Sequence, residues 1–549
     1  MRIRSFVLAA FTGVFLVGSV WAGVGLSPIG VEDAVDQSAP SLREGGGSIA
    51  AADVGDGVEL GADEALVGAA KVDIEPRPDD YGGIWVRDTT TCTPATSGDV
   101  ETSLDHAADP TVTWIENNNC LYMGGFGLGP SQPILEWDSY DPDVPVFNPD
   151  TGDLNELGYG LWARTFAISR GGQTIIATIL DGEGYFGDYN RMCREAGPCG
   201  AHALGQRIAA EVGADNPSLG ITGQDFILGS THAHSAMDFI GGWGGVPGWY
   251  MKQVSDAIVE SARLAVEGMV PAVIEAGDSL ARPHNGERRD LYYSAEDPTL
   301  NWIRAIGRDE QGDPYTIVTA GTFAAHATSF GGSATRAHAD WPGVFAKRAE
   351  ERFDGVGLAF EAGLGNMSSR GGWRMGGRLA NVLPEVGEGT LVTSPDVSVG
   401  RTYWDQPVTN GPLATLGGGG FFDRPFGGPA TVEAGKGGAW KCRSASAVSV
   451  RVSVTAAKVG GVYITAAPGE IFSNYSNTIE ERAPITALAI GQANDALGYM
   501  PQEFESDHKS RQGGGFIGGG VFDYEDAYSI DGCYGTKALI ETLNLLGSL

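Results

Sequence analysis

Hydrophobic residues along this chain occur in short runs of strand length, separated by polar and glycine-rich segments. Residues 65–74 alternate between apolar and polar positions, which is typical of a half-buried strand. Apolar runs at residues 164–168 and 174–180 flank Gly171-Gly172 and predict a β-hairpin. Further strands are predicted at residues 226–231, 270–276, 315–320, 447–456, 462–466 and 485–490.

Helical spacing of apolar residues marks several segments between and after these strands. In one of them, residues 253–267, Val254, Ile258 and Ala262 recur at helical spacing before Gly268. The other predicted helices cover residues 203–212, 342–353 and 538–546. Strands that alternate with helices are typical of an α/β enzyme. The sequence therefore predicts the α/β class, as a single large domain with a mixed sheet, helices and glycine-rich loop excursions.

Glycine, proline and aromatic residues dominate residues 371–440. Long segments without periodicity are uncommon inside compact domains and usually lie on the surface. We therefore expect a long surface excursion here rather than a domain. Its aromatic residues either line an apolar pocket or anchor a surface loop; they include Trp404, Phe421, Phe422 and Phe426.

The N-terminus has the features of a secretory signal peptide. Arg2 and Arg4 precede an apolar run at residues 6–20, and the small residue Ala22 follows it. The run is too short to span a bilayer comfortably, so we expect cleavage near Ala22, a secreted or periplasmic location and no transmembrane anchor. Residues 23–65 lack apolar periodicity and are expected to be a flexible leader, so we expect residues 66–549 to form the folded domain.

The charge of the chain limits its possible binding partners, and its cysteine content indicates the cellular compartment. The 549 residues include 36 basic and 69 acidic side chains, a net charge of -33, which repels phosphate and makes nucleic acid an unsuitable partner. No feature predicts an obligate protein partner. Six cysteines in an exported chain favour disulfides, with 15 possible connectivities among which the sequence does not choose. Our working pairing is Cys92–Cys120, Cys193–Cys199 and Cys442–Cys533.

Histidines follow two of the predicted strands. His232 and His234 come directly after the strand at residues 226–231, and positions i and i+2 of a strand point to the same side. A metal bound through one of them would leave the other as a proton donor. His326 follows a second apolar strand, and active sites gather at such ends. Each signal alone also fits a loop histidine or a buried core histidine.

Six short motifs occur along the chain in a fixed order. They are Thr231-His232-Ala-His234-Ser235, Phe323-Ala-Ala-His326-Ala-Thr-Ser329, Gly365-Asn-Met-Ser368, Pro468-Gly-Glu470, Gly491-Gln-Ala-Asn494 with Gly498-Tyr499, and Tyr524-Glu525. In this order, and over roughly residues 67–549, they resemble the neutral/alkaline non-lysosomal ceramidase family of zinc amidases. Each motif is weak by itself, and the shared order carries the resemblance.

The resemblance implies a zinc hydrolase with one Zn²⁺ per chain. The implied zinc ligands are His232, His326, Glu470 and Tyr499. The implied catalytic residues are His234, Ser368, Arg289 and Tyr524, with Arg288 and Ser369 as neighbouring alternatives for the arginine and serine. Two imidazoles, a carboxylate and a phenolate suit zinc and leave a position for water, whose pKa zinc lowers from about 15.7 towards about 7.

Three departures from the family pattern bear on the substrate. Ala236-Met-Asp-Phe-Ile-Gly-Gly-Trp243 replaces the usual Gly-Pro-Gly-Gly, and Ser369 stands where proline follows the family serine. We also expect the family's C-terminal immunoglobulin-like domain to be missing after Tyr524. The expected function is cleavage of the N-acyl bond of ceramide or a related N-acyl amine. Two alternatives remain open: a zinc hydrolase of a smaller N-acyl or ester substrate, and a non-catalytic binding protein of the same fold.

Overall fold

A computed structural model of the chain describes residues 60–95, 119–126, 130–289, 295–419, 422–435, 442–506 and 524–549. The expected signal peptide, residues 1–22, lies outside these ranges, as do residues 23–59 of the expected leader. Phe421, one of the aromatic residues named above, is also outside them. The first strand begins at Glu64, so it includes the last two residues of the segment expected to be a leader.

The larger sheet is mixed, as the sequence predicts. Within the described residues it has nine strands: β1 Glu64–Asp73, β2 Trp162–Arg170, β3 Gln173–Leu180, β4 Phe226–Ser230, β5 Val270–Leu280, β6 Thr299–Arg308, β7 Pro314–Phe323, β8 Val356–Glu361 and β9 Thr390–Leu391. Their order is β8-β7-β6-β5-β1-β2-β3-β4, with β9 beside β5. The β3–β4 and β7–β8 pairs are parallel and the other pairs antiparallel.

This sheet is buried on both faces. In β2, Ala163 and Ala167 pack into a hydrophobic cluster that includes the helices, whereas Phe166 and Ile168 pack into a cluster shared with a second sheet. Because successive side chains of a strand point to opposite faces, a strand between two cores is apolar at nearly every position. This explains why β2 is buried at every position from Ala163 to Ser169.

The larger sheet also curls until its two ends approach each other. Four strands separate β2 from β8 in the sheet order, which in a flat sheet would place them roughly 24 Å apart at about 4.8 Å per strand. The rings of Phe166 in β2 and Phe360 in β8 nevertheless lie 6.3 Å apart. The curl therefore brings the β4 end of the sheet close to the β7–β8 end.

A second, smaller sheet closes the interior of the curl. Its strands are β10 Val397–Pro407, β11 Phe426–Gly427, β12 Ser449–Val459, β13 Val462–Ala466 and β14 Thr486–Ile490. They are ordered β10-β12-β13-β14, with β11 beside β12, and the β13–β14 pair is parallel. Ile464 and Leu488 of this sheet share the interior core with Phe166, so the two sheets pack face to face.

Helices cover the outer faces of the two sheets. They are α1 Cys193–Ala196, α2 Ala201–Ile208, α3 Gly248–Glu267, α4 Asp340–Phe353, α5 Met375–Asn381, α6 Gly411–Gly418, α7 Ser473–Glu480, α8 Tyr524–Ala527 and α9 Tyr534–Ser548. Val254 and Ile258 of α3 pack in the cluster that contains Ala163, and Leu539 of α9 belongs to the same hydrophobic cluster as Val452 of β12. Among the described residues, no helix has the length and apolar character needed to cross a bilayer.

Short strand pairs and turns complete the described chain. The strand pairs are Glu136–Trp137 with Arg336–Ala337, Asn285–Glu287 with Met367–Ser369, Ala430–Ala434 with Cys442–Ser446, and Glu470–Ile471 with Tyr499–Met500. Single-turn helices lie at Pro78–Tyr81, Ala209–Gly213, Pro217–Leu219, Gly331–Ser333 and Gly372–Arg374. Two of these strand pairs carry candidate site residues.

The expectation of a surface excursion at residues 371–440 is wrong. This segment contains α5 and β10, and β10 pairs with β12 along its whole length, from Val397 opposite Val459 to Pro407 opposite Ser449. Trp404 is buried in the core beneath α9, so it is an anchor and not the wall of an open pocket. The pairing with β12 therefore forms a strand here, although the local glycine and proline content favours a loop.

The working disulfide pairing is confirmed. Cys92 is joined to Cys120, Cys193 to Cys199 and Cys442 to Cys533, with Cα–Cα distances of 5.7, 5.4 and 5.6 Å. These distances lie within the ordinary range for disulfides. Two of the bridges join cysteines close in sequence, and the third joins the short strand Cys442–Ser446 to the start of α9.

Candidate metal centre

The candidate ligands come from the ends of four strands in two sheets. His232 and His234 follow β4, and His326 follows β7 in the larger sheet. Glu470 follows β13, and Tyr499 lies in the segment after β14 in the smaller sheet. Glu470 and Tyr499 are also register partners in the short parallel pair Glu470–Ile471 with Tyr499–Met500, which places them side by side.

His232 and His234 converge, but strand alternation is not the reason. Strand β4 ends at Ser230, and His232 adopts the left-handed backbone region with φ of 48°. Such a conformation in a non-glycine residue costs of order 1–3 kcal/mol and is concentrated at functional sites. The left-handed residue turns the chain so that His232 Nε2 lies 3.2 Å from His234 Nε2.

Each of the three histidines has its Nδ1 atom against a backbone carbonyl. His232 Nδ1 donates to the carbonyl of Glu183, His234 Nδ1 to that of Gly125 and His326 Nδ1 to that of Leu364, each over 2.6 Å. A carbonyl oxygen only accepts hydrogen bonds, so Nδ1 carries the proton and Nε2 keeps its lone pair. This is the usual way in which the outer contacts of a metal site fix the orientation of its histidines.

Burial keeps the three imidazoles neutral. It lowers the pKa of His232 to about 4, and it holds the pKa values of His234 and His326 well below the ordinary value. The same burial raises the pKa of the Glu470 carboxyl and of the Tyr499 phenol. Neutral imidazoles are the form that binds a metal ion.

The lone pairs of this group face one another. His232 Nε2 and His234 Nε2 are 3.2 Å apart, and Glu470 Oε2 lies 2.9 Å from His326 Nε2 and 3.8 Å from His232 Nε2. Tyr499 Oη lies 3.4 Å from His326 Nε2. Acceptor atoms at such distances repel unless a proton or a cation lies between them. Four ligands about 2.0–2.1 Å from a tetrahedral zinc are roughly 3.3 Å apart, so these separations fit the ion.

Two overlapping sets of ligands satisfy this geometry. One ring nitrogen each from His232, His234 and His326 lie within 4.8 Å of one another, so the three histidines can hold a metal ion. The set implied by the sequence replaces His234 with Glu470 and Tyr499, which also adjoin the other two histidines. His234 is therefore placed either to bind the metal directly or to act beside it.

Asn366, in the Gly-Asn-Met-Ser motif, forms hydrogen bonds with two segments next to the candidate metal centre. Its side-chain oxygen accepts hydrogen bonds from the backbone N–H and hydroxyl of Ser473, 2.8 and 3.0 Å away, in the first turn of α7. Its backbone carbonyl accepts the N–H of Arg288 over 3.0 Å. Asn366 thus links the segment after Glu470 to the arginine of the site.

Of the two adjacent arginines, Arg288 faces the histidine group. Its Nη2 donates to Tyr499 Oη over 2.9 Å and to the carbonyl of Gly365 over 3.1 Å, and its Nε donates to Glu525 Oε1 over 2.8 Å. The Arg289 side chain is only 1 % exposed and lies one layer behind, over the ring of Phe472. The geometry therefore favours Arg288, the alternative that the sequence left open, over Arg289.

Ser368 and Tyr524 lie at the edge of the group. Ser368 forms a β-bridge with His326 and pairs with Gly286, whereas Ser369 pairs with Asn285 and, by strand alternation, points the other way. Tyr524 is 45 % exposed, with its ring 5.9 Å from that of Tyr499. Both candidates can therefore contact a molecule that reaches the centre from outside.

Three residues at the centre have contacts that the sequence does not predict. Glu525 holds Arg288, the backbone of Glu183 holds His232, and Phe126 stacks on His234 with ring centroids 4.6 Å apart. Only Glu525 had a sequence signal, because it adjoins Tyr524 in a motif. Glu183 follows β3 by position alone, and nothing in the sequence connects Phe126 to the histidines.

A separate serine–histidine–aspartate chain does not form a second active site. His202 Nδ1 is 3.1 Å from Asp188 Oδ2, and His202 Nε2 is 3.0 Å from Ser453 Oγ. Ser453, however, is 1 % exposed within strand β12, and Asp188 also pairs with Arg424. A buried hydroxyl on an interior strand is out of reach of a substrate, so we assign this chain to packing.

Comparison with known proteins gives the same fold. The chain matches no protein-family profile, and no curated protein matches it in sequence. The solved structures similar to it include neutral ceramidase from Pseudomonas aeruginosa and a ceramidase complexed with C2. Each has a TM-score of 0.51 and 14% sequence identity over 87% of this chain, covering 73% and 74% of their own chains. The chain therefore has the fold of neutral ceramidase, which the sequence motifs predicted.

Proposed function

We propose that this protein is a zinc-dependent amidohydrolase that cleaves the N-acyl bond of ceramide or of a related N-acyl amine. The observation that carries the proposal is the convergence of His232, His234 and His326, whose neutral Nε2 atoms face one another. Such a set of acceptors suits a cation, and the fold is that of proteins described as ceramidases.

The side chains around the group supply what amide hydrolysis needs. Zinc, when bound, supplies Lewis acidity that lowers the pKa of water and polarises a carbonyl. Water oxygen bonds to the carbonyl carbon, the C–N bond breaks, and the leaving nitrogen gains a proton. His234, held by Gly125 through Nδ1, has an unprotonated Nε2, which would accept the proton from water and return it to that nitrogen.

Two further side chains suit the charge that develops on the carbonyl oxygen. Arg288 brings a guanidinium to the group, and the phenol of Tyr524 lies at the exposed edge. Donors aimed at a developing oxyanion are often the largest single contribution to catalysis. Ser368, beside His326, would hold a polar group of the substrate and would not act as the nucleophile.

A substrate panel tests the proposal directly. Purified protein, loaded with zinc and then stripped by chelation, would be assayed on long-chain ceramides, short N-acyl amines and matched esters. Amide hydrolysis that disappears on chelation and returns with zinc supports the proposal, and hydrolysis that survives complete removal of metal contradicts it. Turnover of esters alone favours the smaller-substrate alternative, and bound zinc without turnover favours the binding-protein alternative.

We also propose export from the cytoplasm. Three disulfides support an oxidising compartment, because such bonds are rare in reducing ones. Expression with and without residues 1–22, followed by N-terminal sequencing of the exported protein, tests this. A mature N-terminus near residue 23 is expected, and retention of residues 1–22 on exported protein would contradict cleavage near Ala22.

A further inference from the structure

The segment Ala236–Trp243, where the chain departs from the ceramidase pattern, packs against the loop that holds His234. Gly124 N–H donates to the carbonyl of Ala236 over 3.0 Å, and Asp238 N–H donates to that of Tyr122 over 2.9 Å. Between these two bonds, Met123 and Met237 form an antiparallel bridge. The loop at residues 122–125 is thus paired to this segment as a short strand.

The end of the same segment is shaped by a buried carboxylate. Asp238 is 1 % exposed and accepts the backbone N–H groups of Gly241 and Trp243, each over 3.0 Å. These bonds fold the glycine turn back on itself and set the position of the Trp243 indole. The indole, 9 % exposed, lies in a small hydrophobic cluster with Tyr122 and the Cys92–Cys120 disulfide.

Trp243 in turn lies against Gly125. A Cβ atom at Gly125 would be 2.3 Å from Cε2 of the indole, a distance that real contacts do not show, so the backbone passes directly over the ring. The carbonyl of this same glycine accepts Nδ1 of His234 over 2.6 Å. The next residue, Phe126, stacks on the His234 ring at an interplanar angle of 24°.

We propose that Trp243 is a positioning residue for His234, acting through the backbone of Gly125. The indole supports the glycine, its carbonyl fixes the imidazole tautomer, and Phe126 covers one face of the ring. Displacements of about 1 Å in catalytic groups can cost roughly 100-fold in rate, so this support bears on kcat more than on substrate affinity. This inference depends on the proposed function in one respect, which is that His234 transfers a proton during catalysis.

A double-mutant cycle between the two residues tests the contact. Gly125→Ala forces the indole and the loop apart, so kcat should fall by roughly 10–100-fold while zinc content and KM change little. In a Trp243→Leu background the clash is relieved, and Gly125→Ala should then cost less than about threefold. Gly242→Ala is the matched control, because a Cβ there meets nothing within 4 Å, and it should keep the wild-type kcat.

A spectroscopic readout separates this inference from the proposed function. In the zinc-loaded full chain labelled with ¹⁵N-histidine, His234 resonances are assigned by their loss in His234→Ala. They should report the Nδ1–H tautomer in wild type and Gly242→Ala, and should shift in Gly125→Ala.

Unchanged His234 resonances, or the same loss of kcat from Gly125→Ala in both backgrounds, would overturn the positioning role. If wild-type protein hydrolyses no amide while the resonances respond as expected, the proposed function fails and the positioning contact stands.

Discussion

Arg288 donates a hydrogen bond of 2.9 Å from Nη2 to the phenol oxygen of Tyr499. The same guanidinium donates from Nε to Glu525, so a cation lies between a candidate metal ligand and a buried carboxylate. Arg289, next in the chain, is turned away and donates to the backbone carbonyl of Glu505 over 3.1 Å. Arg288 therefore contacts the candidate metal centre and Arg289 contacts the surrounding structure, so substitution of each should have a different effect.

Replacing each arginine with lysine tests that division. Arg288→Lys removes the forked donor, so kcat should fall by roughly 10²–10³-fold with zinc retained, as for loss of an oxyanion donor. Arg289→Lys should leave kcat within about threefold and lower the melting temperature, because it disturbs a buried guanidinium. Steady-state kinetics and thermal unfolding of both variants check this, and the opposite assignment of the two effects would return the catalytic role to Arg289.

Substitution of the candidate ligands should distinguish metal binding from proton transfer. His232→Ala and His326→Ala should lose both zinc and activity, and Glu470→Gln should weaken zinc binding. His234→Ala should keep zinc while kcat falls by roughly 10²–10⁴-fold, the usual contribution of a general acid–base group. Metal analysis of dialysed protein beside kinetics is the measurement. Loss of zinc from His234→Ala would instead make this histidine a ligand.

Stability should depend on pH through Glu505. Burial raises the pKa of this carboxyl to about 7, above the ordinary 4.5, so between these values the folded protein holds a proton that the unfolded chain has lost. The stabilisation is fully present below pH 4.5 and is lost as the pH rises through 7, lowering the free energy of unfolding by up to about 3 kcal/mol.

Glu505→Gln should therefore flatten part of this dependence. Denaturant unfolding at pH 5 and pH 8 would be compared for wild type, Glu505→Gln and Glu433→Gln, whose exposed carboxylate makes it the control. The difference in unfolding free energy between the two pH values should shrink only in Glu505→Gln. An unchanged difference would show that this carboxyl is not the group that titrates.

The three disulfides should contribute unequally to stability. In the chain-entropy account, the contribution grows with the loop that a bridge closes. Cys442–Cys533 spans 91 residues and Cys193–Cys199 spans 6, which correspond to about 5 and about 2 kcal/mol. Paired serine substitutions followed by thermal unfolding should therefore lower the melting temperature most for Cys442–Cys533. A larger loss for Cys193–Cys199 would contradict the entropic ranking.

Strands with strong apolar character were the part of the fold that the sequence predicted well. The hairpin β2–β3, strand β13 and helix α4 occur within a few residues of their expected bounds. Strand β6, which carries Asn301 and Arg304 among its apolar residues, was not predicted. That guanidinium is fully buried, lies 3.8 Å from the centroid of the Phe353 ring and donates to the carbonyl of Pro384. Tertiary contacts of this kind leave no periodic pattern.

At the candidate site, the motifs identified residues that follow strand ends, but of the residues that support them only Asn366 and Glu525 lie in a motif. His232 and His326 could be named because each follows an apolar run. The choice between Arg288 and Arg289 depends on which way a turn points, and adjacent identical residues give no pattern to decide it. Trp243 and Gly125 are far apart in the sequence, so their contact is a property of the folded chain alone.

The curl of the larger sheet has a further consequence for how a bound ion would act on the protein. His232 and His326 belong to both candidate sets of ligands, and they follow strands near opposite ends of the larger sheet. Glu470 belongs to a different sheet. An ion bound to all three residues would therefore connect the two ends of the larger sheet to each other and to the second sheet. Its binding free energy would mainly oppose partial unfolding that separates these sheet ends, and would oppose fraying of a single strand to a smaller extent. Amide exchange along β4, β8 and β14 would therefore slow together when zinc is added, although no residue of these strands is itself a ligand.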